Sequence, residues 1–317
     1  MKYRRLGNGG IKVSEIAIGG WLTFGGALDQ KTTERIIDTA IDRGVNFIDL
    51  ADIYSQGKAE EACGKAIKDY DRSNLVISSK LFWRMSDDPN DRGLSRKHIF
   101  ESIDKSLKRL GTDYLDIYLC HRFDPETEVE EVVRAMDDLI RQGKILYWGT
   151  SVWESPQIEK AATVAEKYLC YRPQVEQPRY NMLDRHIELS VMPTCARLGM
   201  GLVVWSPLAQ GILTGKYNDG VPAGSRGTTD EWVQGELTED NIRRTRRLTA
   251  LASELGITMS QLALAWVLRR REVSCAITGA TAPEQIEMNA VASEVELIPA
   301  TLKMIDKILD EGKGTTS

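Results

Sequence analysis

The chain has 317 residues, of which 42% are hydrophobic and 27% charged, with a formal net charge of -5. This is ordinary globular composition with ample length for a large core. The acidic balance argues against a nucleic-acid footprint. The two basic clusters, Arg243–Arg247 and Arg269–Arg271, fall in helical patterns and read as solvated helix faces. Cys63, Cys120, Cys170, Cys195 and Cys275 form no CxxC pair, so neither a disulfide framework nor a zinc site is expected. Reduced thiols in the cytoplasm are the expectation. The N-terminal residues do not read as a signal peptide, and no apolar run reaches membrane-spanning length, so no membrane insertion is expected.

In chain order, Tyr3–Leu6 and Ile11–Val13 flank Gly7-Asn8-Gly9-Gly10, a hairpin signal. Glu15–Gly19 reads as a first barrel-type strand, followed by a loop with Gly20, Trp21, Gly25 and Gly26 that brings backbone close to a ligand. Thr32–Arg43 has helical spacing and stops at Gly44. The pattern then repeats. Strands are predicted over Asn46–Asp49, Leu75–Lys80, Tyr114–His121, Ile145–Ser151, Gln174–Gln177, Gly201–Trp205 and Val273–Ile277. Helices are predicted over Ala59–Lys68, from Ser95 to Leu110, and over Glu128–Gln142. Further helices run from Ser155 to about Tyr168, from an Asp184 cap to Arg197, over Thr238–Leu255 and over Ser260–Arg269. The last two start at Pro283 and Pro299, and Gly312–Ser317 reads as a frayed tail. The longest irregular segment, Ser206 to about Glu236, is rich in Gly, Pro, Ser and Thr, and a loop that long is usually functional.

Eight strand-then-helix units after a hairpin predict a closed (β/α)8 TIM barrel forming a single domain over residues 1–317. The first strand-to-helix loop is not GxGxxG, which counts against an open dinucleotide-binding sheet. The active site of such a barrel lies at the carboxyl ends of its strands. Asp49, Lys80 and His121 each end one of three successive strands, and Tyr54 follows one turn beyond Asp49. A free tyrosine, with a pKa of about 10, is a poor acid at neutral pH. A nearby lysine ammonium favours the phenolate and lowers that pKa, and a carboxylate keeps the lysine charged. Such a group suits a phenol that protonates a carbonyl oxygen as negative charge builds on it. Singly, Asp49 and Lys80 read equally well as a structural ion pair, Tyr54 reads more often as a packing residue, and His121 more often as a satisfied half-buried histidine. One histidine with one aspartate is too few ligands for a metal.

These residues carry a resemblance. The chain resembles an aldo-keto reductase from about Tyr3 to Leu309, through Phe47–Tyr54, Gly149-Thr150-Ser151, Trp205-Ser206-Pro207-Leu208 and Gly279-Ala280-Thr281. Trp21–Gly26, Arg92–Ile99 and Tyr147–Ser151 resemble most the branch containing the voltage-gated potassium-channel β subunits and their bacterial relatives. The resemblance implies reversible, NADPH-dependent carbonyl reduction by a tetrad of Asp49, Tyr54, Lys80 and His121. It implies that Ser151 and Gln177 hold the nicotinamide amide, with Val152 standing where the family has a polar residue. The ring would stack on Trp205. The pyrophosphate would lie along Ser206, Leu208 and Gly211, with Lys216 and Arg226 closing over it. The adenosine end would meet Gly279, Thr281, Gln285 and Asn289. Gly20 and Trp21 join the cofactor set. Trp21, Trp83 and Trp153 are candidate walls for a small carbonyl substrate. Ala282 and Met288 stand where relatives offer charge, so NADPH is expected with NADH as a second possibility. A homo-oligomer is expected from the same branch.

Two other readings compete. A cofactor-sensing subunit of a membrane channel would bind NADP(H) with little turnover. The channel-subunit branch typically replaces the tetrad histidine by asparagine, whereas His121 is present here. A lyase or isomerase using Lys80 as a Schiff-base amine is disfavoured, because Asp49 keeps Lys80 protonated.

Overall fold

The computed structural model of the chain describes residues 1–311, so the expected tail at Gly312–Ser317 lies outside the described residues. Strands β1 (Tyr3–Arg5) and β2 (Lys12–Ser14) pair antiparallel as a hairpin. Eight further strands follow: β3 (Ile16–Gly19), β4 (Phe47–Asp49), β5 (Val76–Leu81), β6 (Leu115–Cys120), β7 (Ile145–Thr150), β8 (Val175–Glu176), β9 (Gly201–Val204) and β10 (Val273–Thr278). They close into a barrel in the order β10-β3-β4-β5-β6-β7-β8-β9, with parallel pairing throughout. Closure leaves no free sheet edge.

Between the strands run α1 (Gln30–Asp42), α2 (Lys58–Ile67), α3 (Arg96–Leu110), α4 (Val129–Arg141), α5 (Ser155–Lys167) and α6 (Val191–Leu198). Then come α7 (Arg226–Thr229), α8 (Glu231–Glu236), α9 (Glu239–Glu254), α10 (Met259–Leu268), α11 (Pro283–Ala290) and α12 (Pro299–Asp310). Local signals set several ends. The Ser95 hydroxyl accepts the His98 amide at the start of α3, and Gly111 closes that helix at φ 67. Proline occupies the first turn of both α11 and α12.

The core has two layers. One cluster lies inside the barrel and includes Phe47, Val76, Ile117, Leu119 and Val175, closed below by Leu6 and Val13 of the hairpin region. The other lies between barrel and helices and includes Ile48, Ile77, Tyr118 and Cys120. The two-residue period of a strand explains the division. It also carries the inner face from Phe47 to Asp49, from Val76 to Ser78 and Lys80, from Leu119 to His121, and from Val175 to Gln177.

One helix starts later than expected. Asp184 does not cap a helix running to Arg197. A short 3-10 turn spans His186–Glu188, and α6 begins at Val191. Pro193 is the reason. A helix from Asp184 would bury a proline in its interior, where the ring clashes and a hydrogen bond is lost. Starting at Val191 puts Pro193 in the first turn, where it is tolerated. Asp184 instead accepts from the His186 ring Nδ1 at 2.6 Å. Among the described residues, no single helix is long and apolar enough to cross a membrane. Helices α9 and α10 qualify together only by length and composition, and they are bent by 93°.

Candidate functional site

At the carboxyl ends of β4, β5 and β6 three ionisable side chains converge. Lys80 is fully buried, and its ammonium donates to Asp49 Oδ2 at 2.7 Å, to the Leu50 carbonyl at 2.6 Å and to the Tyr54 hydroxyl at 3.1 Å. Asp49 Oδ1 accepts from the Ser78 hydroxyl at 2.6 Å and from the Gln177 amide at 2.8 Å. Both carboxylate oxygens are thus satisfied, which a buried charge requires. The turn carrying Tyr54 is tight: Ser55, Gln56 and Gly57 all have positive φ, at 49°, 55° and 86°. Gly57, at φ 86, adopts backbone that side chains with a Cβ rarely take, which favours glycine there. The His121 ring stands edge-on to Tyr54, with centroids 5.9 Å apart, and Trp83 stands edge-on to His121 at 6.1 Å.

The electrostatics follow from burial. Burial works against the charge on Lys80, but Asp49 and Tyr54 outweigh it and leave the ammonium above its ordinary pKa. Burial raises the Tyr54 pKa, and the opposing pull of Lys80 does not reverse it. This corrects the expectation of a lowered tyrosine pKa: loss of water around the phenol outweighs the neighbouring cation. The phenol therefore keeps its proton at neutral pH. Burial, with Lys80 and Arg122, holds His121 well below its ordinary pKa, so its ring is neutral. Its buried Nδ1 has no hydrogen-bond partner among the described residues.

Around this centre, Ser151 donates to the Gln177 carbonyl at 2.9 Å, which links the ends of β7 and β8. Val152 has φ 57 and an exposed side chain, an uncommon conformation for a β-branched residue. Gly20 is packed tightly, since a Cβ there would lie 2.6 Å from Leu50 and 2.9 Å from Phe24. Trp21 and Trp83 are exposed at 37% and 39%. Trp153 is not. It is 2% exposed, with its ring edge-on to Phe123 at 5.0 Å, so the structure puts it in the core and not on an open pocket wall.

The segment after β9 is more ordered than expected. It holds a 3-10 turn at Ala209–Thr214 and the short helices α7 and α8. Asp230 caps α8 by accepting from the Trp232 and Val233 amides, a cap signal that the sequence carries. Trp205 and Trp21 lie 6.5 Å apart, and Trp232 joins both at 5.8 and 5.9 Å. Arg226 pairs with Asp230 at 2.6 Å, donates to Gln210 at 2.6 Å and lies 5.8 Å from the Trp21 ring. Gln210 in turn donates to the Ser206 hydroxyl at 2.6 Å. No local pattern in the sequence marks Trp232, Arg179 or Gln210 as part of this cluster. Arg179 lies 5.4 Å from Trp232 and pairs with Glu236.

Further along, the Lys216 ammonium lies 3.0 Å from where a Gly211 side chain would begin. Leu208 is partly buried against the core. Open space surrounds Gly279. Thr281 donates its amide to Gln285 at 2.9 Å, and Asn289 is buried. The start of α11, at Ala282, has no side-chain cap.

Comparison with known proteins agrees with this architecture. The family model for the Aldo/keto reductase family matches residues 15–310. A relative from Oryza sativa subsp. japonica, named "Probable voltage-gated potassium channel subunit beta", is 46% identical over 97% of this chain and 95% of its own. One of the same name from Arabidopsis thaliana is 45% identical over 98% of this chain and 97% of its own. A "Putative voltage-gated potassium channel subunit beta" from Schizosaccharomyces pombe is 47% identical over 97% of this chain and 93% of its own. With a model match across nearly the whole barrel and relatives this similar, the chain belongs to the aldo/keto reductase family.

Proposed function

We propose that the chain is an NADPH-dependent reductase of aldehydes and ketones, with Tyr54 as the general acid. The observation that carries this reading is the contact among Asp49, Lys80 and Tyr54. Lys80 is fully buried, paired with Asp49 at 2.7 Å and in contact with the Tyr54 hydroxyl at 3.1 Å. Ser151, Gln177 and Trp205 would hold a reduced nicotinamide, which would supply the hydride for the carbonyl carbon. Tyr54 donates its proton to the carbonyl oxygen, which becomes the alcohol hydroxyl. The phenolate left behind is held by the Lys80 ammonium, and Asp49 keeps that ammonium in place. The neutral His121 ring donates to the same oxygen and orients it.

The residues fit an elongated, anionic cofactor. Lys216 stands over Gly211, Arg226 reaches Gln210, and the uncapped start of α11 adjoins the open Gly279. Backbone N–H groups at a helix start and nearby cations suit a polyphosphate. Ser151 and Gln177 are the proposed amide holders, and Trp205 the stacking surface. In the structure the Gln177 side chain donates through Nε2 to Asp49, which leaves its side-chain oxygen Oε1 to accept an amide N–H.

The test is loss of NADPH absorbance, and separately of NADH absorbance, with a panel of small aldehydes. Decay that requires both aldehyde and protein supports the reading and ranks the cofactors. The relatives' names favour a second reading, a regulatory subunit of a membrane channel. NADPH binding without turnover of any aldehyde, together with capture of a channel partner from detergent extracts, would favour it.

A further inference from the structure

We propose that Arg122 selects carbonyl substrates that also carry a carboxylate. This inference rests on the reductase reading of the same site. Arg122 follows His121 directly at the end of β6. Its guanidinium carbon lies 5.5 Å from the centre of the Trp83 ring, and Trp83 stands 6.1 Å from His121. The cation therefore lies on the wall formed by the two rings beside Tyr54. It acts electrostatically on Tyr54 as well as on His121.

A guanidinium offers five N–H donors in a planar fork. Arg122 has one hydrogen bond among the described residues, from Nη1 to the His121 carbonyl at 2.5 Å. Other half-buried arginines are neutralised. Arg72 pairs with Asp116 at 2.6 Å, Arg109 with Glu60 at 2.6 Å and Arg4 with Glu15 at 2.6 Å. Arg122 has no such carboxylate among the described residues. Glu176 acts on it through space, but that side chain is fully buried and bonded to the Thr150 hydroxyl and the Trp153 amide. Burial works against the charge on Arg122. A half-buried cation without an anion is costly, and it gains most from an anion brought by a ligand.

The cofactor is not the source of that anion. Lys216 and Arg226 lie in the segment after β9, three strands round the barrel from β6. A carbonyl oxygen held at Tyr54 and His121 would put the rest of the substrate beside Trp83, whose ring neighbours both His121 and the Arg122 guanidinium. A short carboxylated aldehyde would place its carboxylate against that guanidinium. Such a carboxylate accepts two parallel N–H bonds from the fork, which a lysine ammonium does not reproduce.

The experiment compares 4-carboxybenzaldehyde with its methyl ester, using the NADPH-loaded protein. Wild type should favour the acid in kcat/KM. Arg122→Gln keeps a donor for the His121 carbonyl, and it should reduce the acid-to-ester preference by about tenfold to a hundredfold. Arg122→Lys should restore part of the preference, and Arg122→Glu should invert it. A wild type indifferent to the charge, or a loss in Arg122→Gln equal for both substrates, would overturn the proposal. If neither aldehyde is reduced, the reductase reading fails separately. Calorimetric titration with benzoate and with benzamide, with and without NADP+, then decides about Arg122 alone. Tighter binding of benzoate that Arg122→Gln abolishes supports it, and equal binding of the two overturns it.

Discussion

Gln177 donates its side-chain amide to Asp49 at 2.8 Å, across 128 positions of sequence. The contact exists because the barrel closes and brings the inner faces of β4 and β8 to one mouth. It leaves Asp49 with partners on both oxygens, Lys80 among them. A buried carboxylate so enclosed depends on each of those donors.

Replacing Lys80 should therefore cost stability as well as activity. Lys80→Met leaves Asp49 buried beside Ser78 and Gln177 without its cation. We expect a loss of about 3–5 kcal/mol by urea unfolding, in line with breaking a buried ion pair. The double variant Asp49→Asn/Lys80→Met should recover part of that loss. A single variant as stable as wild type would show that the pair is not holding the strand ends together.

A second buried acid makes stability depend on pH. Burial, then the neighbouring Glu60, raises the Asp52 pKa from 3.8 to about 7, against a hydrogen bond from Ser102 and the charge of Arg109. The folded chain thus binds a proton that the unfolded chain has already lost. Its contribution is fully present below pH 3.8 and is lost as pH rises through about 7. Asp52→Asn removes this dependence. Relative to wild type, the variant should gain stability between pH 5 and pH 8, on the order of a few kcal/mol. Denaturation at the two pH values checks this, and an unchanged difference would contradict it.

Gly149 sets the spacing of β7 and β8. A Cβ at that position would lie 2.2 Å from the Val175 carbonyl oxygen and 2.4 Å from its side chain. Backbone cannot yield cheaply there. Gly149→Ala should destabilise the fold by at least about 1–3 kcal/mol, as over-packing does, and should lower the melting temperature. Because Ser151 and Gln177 follow on these two strands, NADPH affinity should fall with it.

Arg226 should matter to the cofactor more than to the substrate. It is tied to Asp230 and Gln210, both in the segment after β9. Arg226→Ala should weaken NADPH binding by about tenfold, the scale of one charge-assisted contact. Fluorescence titration reads this directly. An unchanged affinity would remove Arg226 from the cofactor-closing role.

Much of this could be read from the residues alone, and the exceptions have physical reasons. Strand ends were legible because Asp49, Lys80 and His121 each close an apolar run. Helix starts were legible wherever a cap or proline marks them, as at Ser95 and Pro283. Asp184 is a good cap residue by type, but Pro193 nine positions on sets the helix start. Helices α7 and α8 are too short for periodicity to show. Trp153 carries no local mark of which side of its loop is buried. The direction of the Tyr54 pKa is not legible in the sequence, because neighbours reveal a nearby charge but not how much water is lost. The pairing of Gln177 with Asp49 requires the closed barrel.

The most direct test of the account is Tyr54→Phe, assayed for aldehyde-dependent NADPH oxidation beside NADPH binding by fluorescence. The variant removes one oxygen and keeps the ring against His121. We expect turnover to fall by at least about a hundredfold, the low end for a general acid, while NADPH affinity stays close to wild type. A variant that keeps wild-type turnover would contradict the assignment of Tyr54 as the proton donor.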